Sequence, residues 1–152
     1  VYKLSAIKPA GSDTIIPKIK VSENTAKITN PHFKKVYRLF EKETGKAIAD
    51  LLCVHDEVID ETKPLELFDP EATWKRKTVT DFVAKELLVP VFLKGECVYE
   101  SPDIETIRTY CAEQIETLWD EVKRFENPHT YYVDLSQKLY DIKHDLLKKA
   151  RA

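Results

Sequence analysis

The sequence of 152 residues has no methionine, only three glycines and three cysteines, and no apolar run approaching the ~20 residues a membrane helix needs. Each shortage excludes something. Gly11, Gly45 and Gly95 stand far apart in isolated turns, so no glycine-rich loop can cradle a phosphate. Cys53, Cys97 and Cys111 are odd in number and include no close pair, which argues against a disulfide framework and a thiolate metal site. They fit reduced, partly buried thiols in a cytoplasmic protein. The nucleophile motif G-x-S-x-G and the zinc motif H-E-x-x-H are absent. A net charge of -2 offers no global attraction to nucleic acid or anionic lipid. Val1-Tyr2-Lys3-Leu4 has no charged segment leading into an apolar one, as a secretory signal would. A chain that opens on valine, directly in strand-like sequence, is expected to be a piece of a longer one.

What is present suits one soluble domain. Hydrophobic residues make up 43 %, charged residues 33 % and aromatic residues 10 %, enough for a single core. The first hundred residues read as short strands and turns. Tyr2–Ile7 and Ile15–Val21 form a possible hairpin around Pro9-Ala10-Gly11-Ser12-Asp13, with Pro17 requiring an edge. Ser22 is a cap for a short helical turn over Glu23–Ile28, ended by Asn30-Pro31. Lys35–Phe40 and Ala47–Val54, joined by a loop containing Gly45, make the clearest hairpin, with Tyr37 and Leu39 on one face. Leu65–Phe68 and Trp74–Thr80 are further strands. Leu87–Leu93 and Cys97–Tyr99 form a second hairpin.

The remaining third reads as two helices. Ser101 as N-cap, Pro102 at the first position, and a stripe from Ile104 through Ile107, Cys111, Ile115, Leu118 and Val122 to Phe125 predict one continuous helix stopped by Asn127-Pro128. A last helix is capped by Asp134, with Leu135, Leu139, Ile142 and Leu146 as its stripe and Lys148, Lys149 and Arg151 at its negative end. The predicted class is α+β: a β-rich N-terminal two-thirds built of hairpins, covered by two C-terminal amphipathic helices.

Chemistry-bearing patterns are few. His55-Asp56-Glu57, with Asp60 across a turn, is the nearest approach to a metal cluster, but it reads as a solvated acidic loop. Lys75-Arg76-Lys77 beside Trp74 reads as a solvated face. The most suggestive stretch is Lys18-Ile19-Lys20-Val21-Ser22-Glu23. Alternation puts Lys18, Lys20 and Ser22 on one side, ending at a helix start, where an anion could be faced. The competing reading is an edge strand protected by lysines.

From about residue 17 onward the chain resembles the C-terminal region of bacterial nicotinate phosphoribosyltransferases. The resemblance runs through PKIKVSENTAKITNPHFKKVYRLF, ETGKAIADLL, WKRKTVTDFVAKELLVPVF, GECVYESPDIETIR and TLWDEVKRFENPHTYYVDLSQKLYDIKHDL, in that order. It implies a full enzyme that joins nicotinate to phosphoribosyl pyrophosphate, coupled to ATP hydrolysis and using Mg2+. The implied fold is an irregular α/β barrel with an added β-rich domain, commonly dimeric. It implies that residues 1–30 border the missing catalytic barrel and that residues 31–152 form the C-terminal domain. The phosphorylated histidine and the phosphoribose ligands lie upstream, so no catalytic residue maps here. Lys18, Lys20, Ser22 and Glu23 are the substrate- or barrel-facing candidates, and Tyr2, Leu4 and the Lys18–Ser22 edge are expected to be covered by the absent part. The pattern also expects glycine at position 32, where this chain has His32. A stand-alone binding module for a small molecule or a protein is the competing class.

Overall fold

The computed structural model describes residues 2–151, and it describes Arg151 through its backbone alone. In chain order the elements are β1 (Ala6–Ile7), β2 (Ile16–Pro17), a 3-10 turn (Thr25–Lys27), β3 (Lys34–Glu41), β4 (Ala47–Val54), β5 (Leu65–Asp69), β6 (Ala72–Val79), β7 (Phe82–Glu86), β8 (Phe92–Leu93), β9 (Glu96–Cys97), α1 (Ile104–Glu116), α2 (Asp120–Lys123), β10 (Val133–Leu135) and α3 (Gln137–Arg151). The class is α+β, as expected. The expected strand placement of Val1 and the helix-end role of the Arg151 side chain lie outside the described residues.

The centre is a four-stranded sheet in the order β10-β4-β3-β7. The β3–β4 hairpin sets it up, with Tyr37 opposite Leu51 and Leu39 opposite Ala49. Alternation then turns Tyr37, Leu39, Ala49, Leu51 and Cys53 to one face, where they pack with Leu67, Val79 and Phe82. β7 joins β3 antiparallel, and Leu39, Cys53 and Phe82 are sealed from solvent. The β5–β6 hairpin closes over this cluster without hydrogen bonding to the main sheet. A second cluster, Val54, Leu135 and Leu139, lies under α3.

Several local expectations are corrected. The first hairpin exists but is held by two residue pairs, Ala6 with Pro17 and Ile7 with Ile16, rather than by full strands. Asn24, not Ser22, caps the short turn, its Oδ1 accepting from the Ala26 amide at 3.0 Å. β7 was not foreseen, because its sequence Phe-Val-Ala-Lys-Glu carries its burial in the single residue Phe82. The more apolar run Leu87–Leu93 contributes only Phe92 and Leu93 to a strand, paired with Cys97 and Glu96 across Lys94-Gly95. Both turn residues have positive φ (52° and 87°), the conformation a tight two-residue hairpin requires.

The helical third departs most. Asp103 caps α1, accepting from the Thr106 amide at 2.8 Å, so Ser101 and Pro102 lie outside the helix. The expected continuous helix ends at Glu116. Thr117 donates its hydroxyl back to the Gln114 carbonyl, and its own carbonyl accepts from Ala47, while Lys46 takes the carbonyls of Glu116 and Leu118. Tertiary bonds thus occupy the groups a continuing helix would use. Asp134 does not cap α3. It lies in β10, which pairs parallel with β4, Asp134 beside Leu51. Ser136 takes the capping role, its Oγ accepting from the Leu139 amide at 3.2 Å. Only α3 covers the sheet closely; α1 has no buried residue.

Candidate functional site

The Lys18–Glu23 stretch is extended and leads into the 3-10 turn. Its backbone is tied down: Lys18 donates to the Ser5 carbonyl at 2.8 Å, and Lys20 to the Thr29 hydroxyl at 2.9 Å. Lys18 and Lys20 are exposed, Ser22 is half-buried and Glu23 is exposed. Among the described residues no side-chain hydrogen bond or ion pair joins these four to each other. Tyr2 and Leu4 are likewise exposed.

His55, Asp56 and Glu57 part company. His55 stacks between His32 and Phe33, with centroids at 5.8 and 5.1 Å. Asp56 pairs with Lys138 at 2.8 Å. Glu57 accepts from the Val54 amide at 2.6 Å and the Ser136 hydroxyl at 2.7 Å, binding the end of β4 to the start of α3. Among the described residues no three His, Cys, Asp or Glu side chains converge as metal ligands. The glycines likewise occupy separate open turns. Among the described residues neither a cluster of metal ligands nor a glycine-rich phosphate cradle is assembled. Of the cysteines, Cys53 is buried, its thiol pushed up to about 12 by desolvation, then by Glu57. Cys97 and Cys111 are exposed.

Two polar arrangements were not foreseen. The first is an ion pair on the outer face of the sheet. Arg38 grips Asp50 with two hydrogen bonds (2.8 and 2.9 Å), Tyr131 donates to the same carboxylate at 2.9 Å, and the guanidinium lies 5.8 Å from the Tyr131 ring centroid. The Asp50 hydrogen bond, the largest cause, raises the Arg38 pKa, while desolvation and the neighbouring carboxylate push the Tyr131 hydroxyl above its ordinary value. This ties the irregular segment that leads into β10 to the sheet. Cross-strand alternation placed Arg38 outward, but its partner comes from a distant segment that periodicity does not reveal.

The second is a cleft. Because β5 lies beside β10 without hydrogen bonding to it, the β5–β6 hairpin and the segment from Trp119 to Asp134 leave an open groove of about 1270 Å3. It continues into a narrower arm of about 360 Å3 between Ile48, Leu67, Phe68 and Tyr132. Asp69, Lys75, Lys77, Tyr132 and Asp134 line both. Asp134 is 5 % exposed, and burial, then the charge of Asp69, pushes its carboxyl up to about 6.

These features define an α+β domain with a polar cleft and, among the described residues, no cluster of metal ligands. The family description "Nicotinate phosphoribosyltransferase C-terminal domain" matches residues 33–143. The chain belongs to that family. It is 38 % identical over 143 residues to a nicotinate phosphoribosyltransferase of Bacillus subtilis, with 94 % of this chain and 29 % of the relative aligned. It is 34 % identical to one from Dictyostelium discoideum, of which it covers 25 %. The chain thus spans under a third of the length of these relatives. The crystal structure of human nicotinic acid phosphoribosyltransferase shares the fold, with a TM-score of 0.70 over 78 % of this chain and 24 % of the human one at 23 % identity. No described helix is long and apolar enough to cross a membrane.

Proposed function

We propose that this chain is the C-terminal domain of an enzyme that forms nicotinate mononucleotide from nicotinate and phosphoribosyl pyrophosphate with ATP hydrolysis, and that its own role is structural. The reactive groups, Mg2+ and the nucleotide sites belong to the part of the enzyme preceding this domain. Family membership over residues 33–143 supports the activity. The interface role rests on one observation. α1 is capped and carries an apolar stripe, yet Ile104, Ile107, Tyr110 and Ile115 all face solvent, as do Phe92 and Leu93 of the neighbouring hairpin. Such a face is matched by a packing surface elsewhere. That surface is the catalytic part of the same chain or of its dimer mate.

Assay of the 152-residue chain with nicotinate, phosphoribosyl pyrophosphate, ATP and Mg2+ is expected to give no nicotinate mononucleotide, and turnover there would overturn the structural role. In the full-length protein, Ile107→Asp is expected to lower the yield of active enzyme. Unchanged yield and activity would remove α1 from the interface.

A further inference from the structure

Within Val133–Leu139 nearly every side chain has a visible task. Leu135 and Leu139 fill the core, Ser136 caps α3, Gln137 bonds to Asp141 and Lys138 pairs with Asp56. Asp134 is the exception. It is 5 % exposed and lines the cleft, its oxygens keep access to the groove, and among the described residues no hydrogen bond or ion pair reaches its carboxylate. Burial of a carboxylate without a partner is costly, and such groups are ordinarily paired or bound to something.

We propose that the cleft is a binding site for a single cationic hydrogen-bond donor, a guanidinium or primary ammonium group, held by Asp134. The charges around it select this chemistry. Asp69 from β5, Glu71 from the β5–β6 turn and Glu121 from α2 share the groove. Lys75 is drawn to Asp69 at 3.9 Å, and Lys77 stays on the exposed rim without a carboxylate within 4 Å among the described residues. No third ligand completes a metal site, and an anion would meet the unpaired carboxylate. Tyr131, Tyr132 and Trp119 offer aromatic faces that favour a flat cation over a neutral donor. The narrow arm has room for one side-chain-sized group. That group comes either from a polypeptide packed across this face or from a small free amine.

13C NMR of the side-chain carboxyl and aromatic carbons of the 152-residue chain tests the site with three probes: N-acetyl-arginine amide, its neutral citrulline counterpart, and a short arginine-centred peptide with apolar flanks. The arginine amide is expected to shift the signals of Asp134 and Tyr132 saturably, and citrulline is not. Asp134→Asn is expected to weaken binding about tenfold while leaving the far-ultraviolet spectrum unchanged. Affinity should rise as pH increases through about 6, where Asp134 ionises. His129 also lines the groove, but the cation is assigned to Asp134. His129→Gln should therefore preserve the pH dependence, and Asp134→Asn should abolish it. Tighter binding of the peptide than of the amide identifies a polypeptide as the source; equal or weaker binding identifies a small amine. Absence of saturation, equal binding of citrulline, or indifference to Asp134→Asn overturns the proposal.

Discussion

Helices α1 and α3 carry apolar stripes of similar spacing, yet α3 lies on β4 through the sealed side chain of Leu139 whereas α1 buries none of its residues. Their local credentials are comparable. α1 has the Asp103 cap and a Glu105–Arg108 pair one turn apart at 3.1 Å. α3 has the Ser136 cap. Isolated helices of such length are marginal in water, so packing decides their stability. α3 receives that support from within the chain. Among the described residues α1 is fastened at its C-terminal end, by Lys46, Ala47 and Lys123, and its stripe stays exposed. Periodicity therefore reports that a helix has something to cover; it does not say whether the covered surface is in the same segment.

The contrast is broken most directly by truncating one residue on each side. Phe82→Ala in the sheet core is expected to cost about 4 kcal/mol, and Ile107→Ala on α1 less than about 0.5 kcal/mol in this chain, both by urea denaturation. Equal losses would mean that α1 is packed after all. Asp50→Ala is next. It strands the Arg38 guanidinium and frees the Tyr131 segment, for an expected loss of about 3 kcal/mol, with α3 and β10 amides exchanging sooner than those of β3.

Asp134 gives a pH-dependent effect of about 3 kcal/mol. Its folded pKa of about 6 lies above the ordinary value of about 3.9, so the folded state holds the proton that the unfolded chain has released. Its contribution is therefore most favourable below about pH 4, is lost as pH rises through 6, and is level above that. Asp134→Asn should be more stable than the parent at pH 7 and converge with it at pH 4, measured as urea midpoints. A constant difference across that range would show that the carboxyl does not titrate as burial requires.

The sheet core was legible because its signals are local. In β3 and β4 two eight-residue runs alternate across a glycine loop, and Tyr37 and Leu39 fall inward as their spacing requires. β7 was hidden because Phe82 supplies its burial almost alone, and Leu87–Leu93 misled because apolar content was read as strand when Pro90 and the absence of a partner leave it outside the sheet. Asp134 misled for a related reason. A carboxylate ahead of an amphipathic run looks like a cap, and only the parallel pairing of Val133–Leu135 with Asp50–Leu52 turns it inward. The cleft was illegible because its walls come from β4, β5, β6 and the 119–134 segment, none of which carries a motif. Lys18, Lys20, Ser22 and Glu23 lie beyond the end of β2 in extended chain, with Ser22 half-buried and the other three exposed.

The smallest effect concerns the seam between the N-terminal segment and the sheet. His32 has φ 78°, in the left-handed region where glycine is at ease and a histidine is strained. Its amide donates to the Ser5 carbonyl at 2.7 Å, and its carbonyl accepts from the Lys34 ammonium at 2.7 Å, alongside the carbonyls of Asn30 and Pro31. These backbone bonds hold the turn in place whatever side chain stands at position 32. His32→Gly relieves the φ penalty but loses the stack on His55 and adds freedom to the unfolded chain, leaving an expected gain of about 0.5 kcal/mol. His32→Ala loses the same stack and keeps the strain, so it should fall below the parent by a similar amount. The opposite signs isolate the backbone as the cause. If both variants lose stability equally, the ring contact with His55 outweighs the turn, and the seam is held by side chains rather than by the carbonyls gathered around Lys34.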